Sequence, residues 1–148
     1  MSYKYKIRVR LIILHDNQIL LEFVTDENFY FYPGGKVEDF ETIQEAANRE
    51  MLEELDVKFN FSKILYIREF IKPEKGEHSL ELFILGSIDQ YTVSHNLKNP
   101  DYKPNHIYKW FDIDSLPENL LPSTLTPRLI QDFHAGFPNQ GIYLGAVK

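Results

Sequence analysis

Glu50, Glu53 and Glu54 lie within a short stretch whose apolar residues mark one side of a helix. Thr42 to Leu55 reads as that helix. At about 3.6 residues per turn, Ile43, Ala46, Ala47, Met51 and Leu55 fall on one arc, which should face a core. Glu50 and Glu54 project inside this arc and Glu53 at its edge, whereas an ordinary solvated face would carry its charges on the opposite side. A like-charged i, i+4 pair costs a helix about 0.2–0.5 kcal/mol, and burial without a partner costs far more. Something cationic should offset this. A hard divalent ion, Mg²⁺ with Mn²⁺ as a substitute, takes carboxylate oxygens and keeps waters for substrate phosphates to displace.

The run Gly35 to Val57, GKVEDFETIQEAANREMLEELDV, carries a longer pattern. Gly35 is followed after five residues by Glu41 and after seven more by Arg49-Glu50-Met51, with Glu53, Glu54 and Val57 completing the series. These residues resemble the signature of the Nudix (MutT-like) hydrolase family. Asp56 stands where that signature has glycine, and Asp is among the few residues other than glycine that adopt the left-handed conformation ending such a helix. Phe40 stands where many members have a second glycine. Tyr30-Phe31-Tyr32-Pro33-Gly34-Gly35 resembles the family's junction of strand and loop, and Trp110 to Leu116 its late strand and short helix, so the resemblance covers most of the chain.

The resemblance implies metal-assisted attack of water on a phosphoanhydride, which needs charge neutralisation, an activated nucleophile and in-line placement. It implies Glu50 and Glu54 as metal ligands, Glu53 as a further ligand or an outer group, and the Gly35 carbonyl as a completing ligand. Arg49 is expected to orient carboxylates, reaching Glu53 one turn on with its planar fork. Glu41, with Gly34 and Asp56, is expected to be structural, holding the loop against the helix start. In the family the general base is a box glutamate or a carboxylate of a later loop; Asp101 is the late candidate here, with Glu77 and Glu81 behind it. An isolated loop carboxylate is ordinarily just solvated. His78, His95 and His106 show no metal-ligand spacing and are expected to be surface or structural residues.

Elements to position these groups can be read from periodicity. Tyr5, Ile7, Val9, Leu11 and Ile13 alternate with Lys4, Lys6, Arg8 and Arg10 as in a half-buried strand. His15 to Gln18 should turn the chain into a return strand, Ile19 to Val24, and Phe29 to Tyr32 into a third. Val57 to Phe61, Ile64 to Ile71, Ser79 to Ile88 and Ile107 to Phe111 read as further strands, with a turn at Lys72 to Gly76. Thr126 as N-cap, Pro127 at the first helical position and Gly136 after the end frame a closing helix. The polar stretch Asp89 to Asn105 is long for a loop and is a candidate substrate lid. Strands before and after one helix, with a final helix, predict an α/β fold, an α/β/α sandwich with a mixed β-sheet, and the resemblance implies the same Nudix-type fold.

The chain has 148 residues, 43% of them hydrophobic, enough for one domain with one core. Its net charge of −6, with acidic and basic residues interleaved, argues against a surface that coats nucleic acid. With no cysteine, disulfides, thiolate metal sites and cysteine nucleophiles are excluded together. The N-terminal apolar residues alternate with basic ones and form no signal core, and no stretch approaches a membrane span. A soluble, cytoplasmic protein with no membrane partner is the expectation.

Substrate recognition is less marked. Of Phe29, Tyr30, Phe31 and Tyr32, one alternating pair could stack a base while the other packs inside, with Tyr30 and Tyr32 taken as the binding pair. Arg8, Arg10 and Arg68 are candidate partners for phosphate or ribose, although strand-surface cations need no ligand to explain them. Pro73, sixteen residues beyond Val57, resembles a marker of the ADP-ribose hydrolysing subgroup, yet KPEKG is also a plain turn. The tail Gly141 to Gly145 is expected to pack on the domain or at a homodimer interface. The leading expectation is Mg²⁺-dependent cleavage of a nucleoside diphosphate linked to another group, ADP-ribose or a nucleotide sugar, releasing a nucleoside monophosphate. Alternatives are a nucleoside triphosphate pyrophosphohydrolase and a sensor domain that binds a nucleotide without hydrolysis. An isomerase of isoprenoid diphosphates is disfavoured, because that resemblance would call for a catalytic thiol.

Overall fold

The alternating N-terminal segment forms β1 (Tyr5–His15), the strand about which the rest is built. A computed structural model describes residues 5–89 and 105–148. A tight turn with Asp16 at positive φ leads into β2 (Gln18–Val24), and β3 (Phe29–Phe31) folds back on β2. Then come β4 (Gly34–Lys36), α1 (Ile43–Leu55), β5 (Phe59–Lys72), β6 (Glu77–Ile88), β7 (His106–Asp112), α2 (Leu125–His134) and β8 (Ile142–Gly145). One side of β1 pairs in parallel with β6 from Tyr5 to Ile13; the other pairs antiparallel with β4 at Arg8 to Arg10 and with β2 at its end. β5 lies antiparallel to β6 and parallel to β8, while β2 also pairs with β7. The sheet is therefore mixed.

Alternation along β1 sends side chains into separate cores. Val9, Leu11 and Ile13 pack with Ala46, Ala47, Met51 and Leu55 of α1, and Ile12 packs with Leu125 and Leu129 of α2 on the other face. The expected α/β/α sandwich is what forms, with each helix burying its apolar stripe on one face of the strands.

Several local expectations are corrected. The segments expected at 57–61 and 64–71 merge into one strand, β5, which starts only at Phe59, because register shifts after Phe61 and after Ile64 absorb Ser62 and Leu65 without breaking the ladder. α2 starts before Thr126: its flanking residue is Thr124, whose hydroxyl donates to the Lys148 carbonyl at 2.9 Å and makes no cap bond, so Pro127 is the third helical residue. Pro is tolerated throughout a first turn, where no N–H has an intrahelical partner. Gly34 to Lys36 is a short strand and not a bare loop, and Ile142 to Gly145 of the tail becomes β8 along β5. The candidate lid lies almost wholly outside the described residues, and Asp101 and His95 with it.

Candidate active site

The acid-bearing helix is set at both ends by its own residues. The Thr42 hydroxyl accepts from the Glu45 N–H at 3.0 Å, and the Glu45 carboxylate accepts from the Thr42 N–H at 2.9 Å, a reciprocal cap. That bonding holds the Glu45 carboxyl below its usual range. At the other end Asp56 takes the left-handed conformation, φ 56°, and its N–H donates to Leu52. Asp thus does what the signature's glycine would do. Between these caps, Glu50 is 4% exposed and Glu54 0%, whereas the Glu53 side chain is 37% exposed.

Gly35 explains how Glu50 fits. A Cβ on Gly35 would lie 2.4 Å from Glu50 Oε1 and 2.8 Å from Oε2, so the missing side chain is the space the carboxylate occupies. Gly34 has a different constraint: its φ is 143°, and a Cβ there would lie 2.0 Å from the Val9 carbonyl oxygen. The β1–β4 pairing at Val9 and Gly35 needs both glycines to bring this backbone beside α1.

Arg49 ties the loop to the helix. Its Nε donates to Glu41 Oε2 at 2.7 Å and its Nη2 to Glu41 Oε1 at 2.9 Å, a bidentate pair, and Nη2 also donates to the Lys36 carbonyl at 2.9 Å. Its Nη1 donates to Glu50 at 3.1 Å and only at 3.4 Å to Glu53. The fork therefore belongs to Glu41, not to Glu53 as the helical spacing suggested. This pairing holds the Glu41 carboxyl below the usual range and raises the Arg49 pKa further. A guanidinium so held orients carboxylates and gives up no proton. Phe40, in the loop before Glu41, takes the left-handed conformation at φ 64° with its ring in solvent.

The structure adds one acid that sequence reading missed. Glu22 of β2 is 0% exposed, on the same face as Leu20 and directly across from Tyr108 of β7. His106 Nδ1 contacts its carboxylate. Tyr108 is also 0% exposed, and burial, with Glu22 and Glu54 beside it, drives its pKa up. The available signal was a carboxylate inside the apolar run ILLEFV, in phase with Leu20.

The other sequence candidates divide. Tyr32 is 1% exposed in the α2-side core and cannot meet a substrate; Tyr30 packs against Phe23 and Phe111 with ring centroids 4.6 and 4.9 Å away. Phe29 and Phe31 form the outer pair, and the Arg10 guanidinium lies 5.4 Å over the Phe31 ring. Arg10 and Arg68 both bond Glu81, Arg10 Nε at 3.1 Å and Arg68 Nη1 at 2.5 Å, and Arg68 Nε donates to the Val147 carbonyl. Glu81 is thereby a buried clamp for two arginines, not a base open to water. Arg8 makes no ion pair with the described residues; burial and Arg10 lower its pKa, while Glu77, Glu81 and Glu50 oppose this. Glu77 starts β6 and Pro73 opens a single helical turn between β5 and β6, so Pro73 has the plain turn role.

Among the described residues, no three of His, Cys, Asp or Glu are gathered as a ready-made metal cage. The groups present nonetheless suit a divalent ion. Two deeply buried carboxylates and the backbone of Gly35, laid against Glu50, are hard oxygen donors, and one guanidinium, Arg49, is shared among Glu41, Glu50 and Glu53. An open oxygen set completed by water is the mode in which a small hard dication is held.

A carboxylate-lined helix laid against a glycine turn inside an α/β/α sandwich defines a pyrophosphatase-type hydrolase. The NUDIX domain pattern matches residues 4–131, and the chain belongs to the Nudix family, whose members generally use divalent metals and act on small nucleotide derivatives. A MutT Nudix hydrolase from Burkholderia pseudomallei superposes with a TM-score of 0.70 at 25% identity, covering 86% of this chain and 97% of its own. An ADP-ribose pyrophosphatase from Streptococcus suis superposes at 0.67 with 17% identity over 96% and 99% of the two chains. A UDP-X diphosphatase does so at 0.69 with 19% identity over 97% and 68%. No protein of curated function matches the sequence. Among the described residues no helix is long and apolar enough to cross a membrane.

Proposed function

We propose that this chain hydrolyses the pyrophosphate of a nucleoside diphosphate linked to a second group, releasing a nucleoside monophosphate and a phosphorylated remainder. The observation that carries this reading is the Glu50 carboxylate seated in the space left by Gly35, one turn from the buried Glu54. Mg²⁺, with Mn²⁺ as a substitute, would be held by Glu50, Glu54 and the Gly35 carbonyl, and when bound supplies charge neutralisation at the phosphates and a more acidic water. Glu53 is the box glutamate that solvent reaches, and so the one able to take a proton from water. Arg49 keeps Glu50 and the loop in place through Glu41.

Recognition is assigned to the arginines. Arg10 bridges from β1 to the Phe31 ring, and Arg68 is fixed beside it through Glu81, so a planar base and an anionic group can be met together. Arg8, without an ion pair among the described residues, is the cation left for phosphate. An ADP-ribose pyrophosphatase and a UDP-X diphosphatase stand beside MutT proteins among the solved neighbours, so linked diphosphates are a substrate class this fold accommodates, and Pro73 does not strengthen the preference for them.

The test is a product assay on linked nucleoside diphosphates and on triphosphates, with Mg²⁺ and with chelator, resolving monophosphate, pyrophosphate and inorganic phosphate. Metal-dependent monophosphate from a linked diphosphate, abolished by Glu54→Gln, is the expected result. Turnover retained by Glu54→Gln at saturating Mg²⁺ would overturn the assignment of the site. Release of pyrophosphate from triphosphates alone would overturn the substrate class.

A further inference from the structure

Arg10 and Arg49 hold their glutamates differently, and the difference needs a cause. Arg49 takes both oxygens of Glu41 with Nε and Nη2, the fork that guanidinium and carboxylate form when nothing competes. Arg10 reaches Glu81 through Nε alone, at 3.1 Å on Oε2. The second oxygen, Oε1, is occupied by Arg68 Nη1 at 2.5 Å. Glu81 is 5% exposed, so protein groups and not water decide how its oxygens are shared.

Strand register puts these groups within reach. Glu81 of β6 stands directly opposite Arg8 of β1 on one side and Arg68 of β5 on the other, with Arg10 the diagonal neighbour on β1. Arg68 is itself fixed from behind. Its Nε donates to the Val147 carbonyl at 2.7 Å, and its guanidinium lies 5.2 Å over the Phe70 ring. The chain after β8 sets that carbonyl in place: Gly145, paired with Arg68, turns the backbone at φ 73°. The Lys148 carbonyl is then held by the Thr124 N–H at 3.1 Å, the Thr124 hydroxyl at 2.9 Å and the Ser123 hydroxyl at 3.1 Å.

A guanidinium has five N–H groups, and Arg10 gives only the one on Nε to a described residue. Its two amino groups remain beside the Phe31 ring, whose centroid is 5.4 Å from the guanidinium carbon. We infer that Arg68 is a positioning residue: by occupying one oxygen of Glu81 it keeps Arg10 from closing a fork on that carboxylate, and so leaves the Arg10 amino groups to pair with a phosphate of the substrate. The inference rests on the reaction proposed above and divides its arginines. Arg10 meets the substrate, whereas Arg68, strapped to the Val147 carbonyl, acts only through Glu81. Without Arg68, Glu81 would take Arg10 as Glu41 takes Arg49.

The experiment measures KM and kcat of the full chain for ADP-ribose and for UDP-glucose at saturating Mg²⁺, with thermal unfolding beside them. Arg68→Met keeps a stem that packs and removes both bonds. It is expected to raise KM about tenfold, the loss of one charge-assisted contact, with kcat within about threefold of wild type. In an Arg10→Ala background the same substitution should change KM no further, because its effect passes through Arg10. An equal rise in both backgrounds would mean that Arg68 meets the substrate itself, and would overturn the positioning role. A lowered Tm with wild-type KM, the mark of packing alone, would overturn it too. If Arg68→Met fails to fold, Ser123→Ala combined with Thr124→Val loosens the Lys148 carbonyl without touching an arginine. That variant should raise KM in the same Arg10-dependent way, and an unchanged KM would overturn the role. No monophosphate from either probe with the wild-type chain would overturn the proposed reaction and the inference with it.

Discussion

Gly35→Ala should damage turnover far more than stability, and the reason is geometric. The backbone at Gly35 is not in the left-handed region, so alanine meets no conformational barrier there. Its Cβ would instead stand 2.4 Å from Glu50 Oε1, where ordinary contact begins at 3.4 Å, so the carboxylate must retreat by 1.0 Å. The obstructed atoms are the far end of a flexible side chain, which can yield, and the stability loss should stay near the low end of overpacking costs, about 1 kcal/mol. Turnover does not yield so easily. A shift of about 1 Å in a group that places reactants can cost about 10²-fold in rate, equivalent to about 2.7 kcal/mol in the barrier. Steady-state kinetics at saturating Mg²⁺, with thermal unfolding beside them, read the two effects separately. Gly34→Ala is the control, since its Cβ would meet the Val9 carbonyl of the central strand at 2.0 Å, where nothing is free to move. That variant should lose about 3 kcal/mol of stability. If Gly35→Ala keeps kcat within about threefold of wild type, the contact between Gly35 and Glu50 does not place a catalytic carboxylate, and the reasoning fails.

Three further outcomes follow from the same contacts. Glu41 has a folded pKa below its unfolded value, so its pairing with Arg49 stabilises fully above pH of about 4.3 and is lost as pH falls through the lower folded value; Glu41→Gln should flatten the acid limb of a stability profile measured by urea unfolding. Arg8→Ala should raise KM about tenfold at nearly constant kcat, the loss of one charge-assisted contact to a phosphate, with unfolding unchanged because Arg8 has no ion pair among the described residues; an unchanged KM would remove Arg8 from recognition. Phe40→Gly should relieve left-handed strain of about 1–2 kcal/mol, offset in part by the greater freedom of the unfolded glycine; a small rise in Tm at unchanged kcat is expected, and a fall would show that the exposed ring has a packing role.

What could be read from sequence depended on whether the signal was local. The arc from Ile43 to Leu55 has helical period, and Glu50 and Glu54 stand out because they violate it, so both helix and buried acids were legible. The left-handed turn at Asp56 was legible for the same reason, a residue type suited to one backbone state. Strand pairing was not. Tyr30 and Tyr32 share a face by parity, but which face is core depends on where β3 meets β2, and that pairing turns them inward and leaves Phe31 beside Arg10. Ser62 and Lys63 resemble a turn until β6 supplies the ladder that lets β5 bulge through them. The tail gave too few residues between glycines to show a period, and β8 forms only because β5 offers an edge. Glu22 lies between these cases: its phase with Leu20 was visible, but its partners on β7 are more than eighty residues away.

The charges around α1 explain why local pattern and distant register both had to be satisfied. Arg49 bonds Glu41, Glu50 and Glu53, and most of its bonding goes to Glu41. Glu54, fully buried, lies one turn on from Glu50, and Glu22 of β2 stands opposite Tyr108. Removing Arg49 would free the loop as well as unbalance the acids, so it holds geometry more than it neutralises charge. A divalent ion at the proposed site would offset this negative charge, and the same field would repel a diphosphate that arrives alone. Ion and substrate should therefore bind cooperatively, each lowering the cost of the other. The acids are positioned by a glycine that leaves room for Glu50 and by a cap at each helix end, and the proposed ion would supply the compensating charge.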